Sequence, residues 1–224
     1  MTSQRGYNEE LQIRSPRHRR RSFRDFLPYP RSFAALLVYA LVLALAIGFG
    51  SSYWMTSGPF PLNEVRTGPW QYWPDIGSSN TDPYARAMIA RDAFLPLAIG
   101  EGLELTTVLD SADNPLRSSC DYRIGPTMPM ARYWTLTLYD PKSRLPVQVA
   151  TQRSGISSRE IVRSENGEFS IYLSQQVKPG NWLQLPQDSN FRLVLRLYDI
   201  PASIDKTTVD HRLLPTIDQL GCSS

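Results

Sequence analysis

Histidine and cysteine are scarce in this chain, two of each among 224 residues. No Cys-x-x-Cys pair and no His/Cys cluster occurs, which excludes the usual ligand spacings for zinc and haem. A Ser-His-Asp arrangement would have to use His211 as its base, and no nucleophile-elbow motif accompanies it. A glycine-rich phosphate loop is missing as well, so no cofactor and no metal is expected. Eight of the 24 Lys+Arg but only three of the 21 Asp+Glu fall in residues 1–32, leaving 16 basic against 18 acidic groups in the remainder. That remainder has no positive field of the kind a nucleic-acid partner requires.

Charge of either sign is absent between Arg31 and Glu64. Within that gap, Phe33 to Met55 is almost wholly apolar, and as an α-helix it would span about 35 Å, enough for a hydrocarbon core of ~30 Å. Tyr53 and Trp54 close the run, where amphipathic rings favour the headgroup region. The basic flank, with Arg17-His18-Arg19-Arg20-Arg21 at its centre, belongs on the cytoplasmic side by the positive-inside bias. The expectation is a single-pass anchor in the cytoplasmic membrane, contacting the bilayer through Phe33 to Met55, with the C-terminal domain in the periplasm. The alternative is a cleaved export signal, for which Ala44-Leu45-Ala46 and Arg20-Arg21 supply loose motifs. Against it stand a basic region of about 30 residues and an apolar run that continues past the cleavage motif, both unlike a signal peptide.

The expected domains are a disordered basic tail (1–31), a transmembrane helix (32–55), a linker (56–67) and an extracytoplasmic β-sandwich (68–224). The tail is polar and Arg-rich, and cannot bury enough surface to offset the entropy of ordering. Pro59 and Pro61 mark the linker. Gly68-Pro-Trp-Gln-Tyr-Trp-Pro74 reads as an extended arm that packs its rings on the domain, with contact to the outer leaflet as the alternative. Asp82-Pro83 is a cap followed by a first-turn proline, and opens a short helix with Tyr84, Ala87, Met88 and Arg91 on one face.

From Gly102 the apolar period changes from 3.6 to 2. Strands are expected over Leu103–Leu109, Arg117–Ile124, Arg132–Asp140 and Leu145–Ala150. Ser157–Glu160 suggests one helical turn. Arg163–Phe169 reads as a hairpin turning at Asn166-Gly167, followed by Phe169, Ile171 and Leu173 facing inward. Asn181-Trp-Leu183 and Phe191–Tyr198 supply the last strands. About eight strands joined by short turns predict an antiparallel sandwich.

Asp82-Pro-Tyr-Ala-Arg-Ala87, Tyr133-Trp-Thr-Leu-Thr-Leu-Tyr-Asp140, Asn181-Trp182 and Phe191-Arg-Leu-Val-Leu-Arg-Leu-Tyr198, in this order, resemble the bacterial family called domain of unknown function 1214. The resemblance runs from about Trp70 to Tyr198 and is to the short, membrane-anchored type. It implies a jelly-roll-like β-sandwich, and that longer members carry the same unit as the C-terminal half of two domains. It carries no catalytic residues with it.

Two site readings follow from the residues. Asp140 and Asp199 each close a Leu-Tyr-Asp triplet at a strand end, and paired carboxylates hydrolyse glycosidic bonds; aspartate before Pro141 or near Pro201 is also ordinary turn chemistry. Arg192, Arg196 and Tyr198 project from one face of the last strand. With Arg132, Arg86 and Trp182 nearby they would suit a carboxylated or sugar ligand; the alternative is a solvated or covered sheet face. Three functions remain open: a non-catalytic domain binding an envelope protein or polymer, a carbohydrate-active enzyme using the two aspartates, or an accessory subunit pairing through Ala35, Ala40, Ala44, Gly48 and Ser52. Cys120 and Cys222, both on the side placed outside the cytoplasm, are expected to form a disulfide that folds the C-terminal tail back over the sandwich.

Overall fold

The computed structural model describes residues 32–57, 64–91, 96–98, 100–143, 145–187, 189–201 and 209–223. The expected disordered tail and the linker prolines Pro59 and Pro61 lie outside these residues. Helix α1, Phe33–Ser57, extends two residues beyond the expected span and has no buried residue. Ser32 starts it by accepting the Ala35 amide on its hydroxyl at 3.2 Å. By length and composition it is able to cross a membrane.

The C-terminal part is mostly β. One sheet orders six strands as β1 (Val65–Thr67), β2 (Trp70–Tyr72), β3 (Gly102–Thr107), β9 (Arg192–Tyr198), β5 (Tyr133–Tyr139) and β6 (Gly155–Ser157). The other orders β10 (Thr216–Cys222), β4 (Cys120–Gly125), β7 (Ile171–Ser174) and β8 (Asn181–Gln184). Strand side chains alternate between faces, so each strand offers one set of residues to a shared core. Leu103, Leu105, Trp134, Leu136, Leu138, Leu193, Leu195 and Leu197 come from the large sheet; Tyr122, Ile124, Ile171, Leu173, Leu183 and Ile217 come from the small one. The expected alternation in the three long strands is therefore correct.

The aromatic arm packs as expected. Trp70 and Tyr72 are fully buried. The Trp70 indole donates to the Pro215 carbonyl at 2.9 Å, and the Tyr72 hydroxyl accepts the Val209 amide at 3.1 Å. Helix α2, Pro83–Arg91, is capped by Asp82, whose carboxylate accepts from the Tyr84 and Ala85 amides at 2.8 and 3.2 Å. Its inward face is Ala85, Met88 and Ile89 rather than Tyr84, Ala87 and Arg91, which are exposed.

Other departures have physical causes. Leu145–Ala150 forms no strand; only an isolated bridge joins Pro146 to Tyr139, and Pro146 has no amide to extend it. The neighbour of β5 is instead β6, where a Cβ on Gly155 would lie 2.8 Å from the Thr137 hydroxyl, so glycine permits the close approach. Asn166-Gly167 does turn the chain, with Gly167 at φ 81° and Ser164 donating to the Glu168 carbonyl, but no paired strands flank it. Strands β7 and β8 run parallel, an exception to the antiparallel expectation, because alternation reports which face a residue occupies and not strand direction. The tail becomes strand β10, antiparallel to β4, and the expected disulfide joins Cys120 to Cys222 directly across that pair.

Candidate functional site

The large sheet carries the predicted arginine face on its outer side. Tyr133 pairs with Tyr198 in register, Thr135 with Arg196, and Tyr139 with Arg192. Arg192, Arg196 and Tyr198 thus share a face, as the period-2 pattern required. Arg196 is committed within it. Its guanidinium meets the Glu104 carboxylate at 2.7 Å, with side-chain exposures of 20% and 10%. It also donates to the Tyr139 hydroxyl at 2.9 Å and lies over that ring at 5.5 Å. Burial alone would lower the Arg196 pKa, but the adjacent carboxylate and phenol hold it above its ordinary value. Arg196 and Tyr139 meet across the intervening row, where Thr106 and Val194 face outward and are nonetheless buried.

The other predicted binding residues disperse. Arg132 pairs with Asp199 at 3.2 Å on the surface, exposed 82% and 67%. Arg86 donates to the Thr81 and Ser79 carbonyls, fastening the loop before its own helix. Trp182 is on the other sheet. Of the six residues expected to form one site, the fold unites Arg192, Arg196 and Tyr198, with Arg132 beyond the Tyr133–Tyr198 end; Trp182 lies on the other sheet, and Arg86 is committed to the loop before its own helix.

The two aspartates do not form a catalytic pair. Asp140 follows Tyr139 at one end of β5 and Asp199 follows Tyr198 at the opposite end of the antiparallel neighbour. Seven residues of strand at ~3.3 Å each put them more than about 20 Å apart, against ~10 Å at most for a glycosidase pair. Asp140 accepts from the Lys142 amide and the Ser143 hydroxyl, both at 2.9 Å. These bonds hold its carboxyl below the usual range, the wrong direction for a general acid. Asp199 occupies the left-handed region at φ 52°, where Asp is among the favoured non-glycine residues. The turn reading accounts for both. His211 sits in a 3-10 turn, His211–Leu213, with its Nδ1 3.5 Å from the exposed Asp210.

Two features escaped the sequence. The first is an open cleft of about 1500 Å³ lined by residues 108–109, 115–119, 140–143, 145–150, 184–187 and 189–191. Its floor includes the buried Leu116, Leu185 and Phe191, and Leu145 and Gln148 stand exposed on its rim. None of the six predicted binding residues lines it; Asp140 does. The second is a row across the outer side of the small sheet, Asp218–Arg123–Tyr172–Trp182, one residue from each strand in register. The outward position of Tyr172 between Ile171 and Leu173 was readable, but its neighbours depend on register.

Residues 101–202 match the family described as "Protein of unknown function (DUF1214)". The resemblance is thereby upheld over these residues, which begin about 30 positions later than Trp70. No curated protein matches the chain. A crystal structure of the VPA0106 protein from Vibrio parahaemolyticus is similar, with a TM-score of 0.56 and 18% identity, covering 87% of this chain and 48% of that one. A putative uncharacterized protein from Burkholderia cenocepacia aligns at a TM-score of 0.43 and 13% identity over 88% of this chain and 45% of its own. The chain thus spans about half the length of these two structures, and the first supports the fold alone.

Proposed function

We propose that the chain, whose residues 101–202 match the DUF1214 family, is a membrane-tethered module whose C-terminal domain binds an envelope protein or polymer from the periplasmic side. Helix α1 is the tether, with the N-terminus in the cytoplasm. The charge asymmetry about α1 supports this orientation, and the Cys120–Cys222 disulfide accords with an oxidising compartment.

The observation that carries the binding reading is the cleft. Its volume exceeds that of most small-molecule pockets, which are about 300–1,000 Å³. Its walls combine apolar side chains with exposed polar ones, Arg117, Lys142, Gln148 and Asn190. An open concavity of this size suits a chain-like partner. A photo-crosslinking residue placed at Leu145 or Gln148 should give a discrete higher-mass adduct in intact cells. The same residue at Val177, exposed and outside the cleft, should not. Equal adducts from all three positions, or none from the cleft, would reject the cleft as the binding surface.

A further inference from the structure

We propose a second binding site, for an uncharged glycan strand, on the outer side of the small sheet with Tyr172 and Trp182 as its stacking platform. Trp182 and Tyr172 are directly opposed on neighbouring strands, whose backbones lie about 4.8 Å apart. Both are half-buried, on the side away from the core. The Trp182 indole N–H donates to the Ser174 carbonyl at 3.1 Å, so the ring is held in place before any ligand arrives. A preorganised ring loses little side-chain freedom on binding.

The charges of this face select the ligand. Arg123 pairs with Asp218 at 3.1 Å, with exposures of 49% and 42%, and Lys178 pairs with Asp121 at 2.8 Å. Each cation already has its anion, so a charged ligand would have to break an ion pair to be recognised. An uncharged sugar need not. Pyranose rings with equatorial substituents present a flat C–H face to an aromatic ring and hydroxyls at their edges. The Arg123–Asp218 pair, in the same row, offers donors and acceptors to those hydroxyls without losing its own contact. In the middle of the large sheet's outer face, by contrast, Arg196 and Tyr139 are bound to each other.

This inference gives chemical content to the polymer named above and rests on the periplasmic placement only for access to an envelope glycan. Its test uses purified protein, so its failure is separable from failure of the cleft or of the topology. The full chain, held in a polyoxyethylene detergent to avoid competing sugar headgroups, is titrated calorimetrically with chitohexaose, cellohexaose and polygalacturonate. Binding of at least one neutral hexamer is expected, the two arms separating an N-acetylated from a plain glucan source. Trp182→Ala and Tyr172→Ala should each weaken it about tenfold, the scale of one lost aromatic contact. Trp182→Phe should lose less, and Met130→Ser, exposed and outside both the cleft and the small sheet, should change nothing. No neutral binding, binding of polygalacturonate alone, or unchanged affinity in folded Tyr172→Ala and Trp182→Phe would overturn the proposal.

Discussion

The outer faces of the two sheets are built from the same residue types and do opposite things. On the large sheet, Arg196, Glu104 and Tyr139 close over small residues and form a half-buried network. On the small sheet, Arg123 and Asp218 pair where water reaches both, and the aromatic residues beside them stay accessible. A charged residue's position on an outward face therefore says little about binding. What matters is whether a partner on the next strand has already taken it.

This comparison predicts an ordering of stabilities. Arg196→Met should cost the most, about 3–5 kcal/mol, because it leaves Glu104 buried without its cation. Urea unfolding of the variant against the wild type measures it, and a loss under 1 kcal/mol would erase the distinction between the faces. Replacing both cysteines by serine should cost about 2–4 kcal/mol. Its effect falls on the small sheet, since the bond ties β10 to β4. Alkylation of membrane-derived protein without reductant, read by intact mass, should label no thiol.

Gly125→Ala should follow, at about 1–3 kcal/mol by thermal melting. Its φ of 142° suits glycine, and an added Cβ would lie 2.4 Å from the Phe169 carbonyl. Arg123→Gln should be the mildest, under about 1 kcal/mol, because its ion pair is solvent-screened.

A pH series sharpens the same contrast. Burial alone would raise the Asp121 pKa, but hydrogen bonds from Lys178 and Ser174 and the lysine's charge bring it below its ordinary 3.8. The stability it adds is present above that value and disappears as the pH falls through the depressed folded pKa. The melting difference between wild type and Asp121→Asn should therefore be seen at pH 7 and shrink below pH 3.8.

The sequence made faces legible and neighbours obscure. Period-2 alternation was enough to place Leu193, Leu195 and Leu197 inward and Arg192, Arg196 and Tyr198 outward. It could not say that Glu104 stands opposite Arg196, because register is set by the packing of the whole sheet. The same gap moved Trp182 from the arginine face to the other sheet and hid its alignment with Tyr172. Strand β10 was missed for a different reason. Thr216–Cys222 has one buried residue, Ile217, and most of the strand is exposed, so alternation is faint and the Cys120–Cys222 pairing was its only signal. The cleft was invisible because the stretches that form it are loops whose shape comes from elements far apart in the chain.

One fusion tests whether the tethered domain lies outside the cytoplasm. A phosphatase that is active only after export is joined after Ser224, and its activity is measured in carbonate-washed membranes. Strong activity retained in the washed pellet is the expected result. An inactive fusion, or activity released to the soluble fraction on a chain lacking residues 1–46, would contradict it.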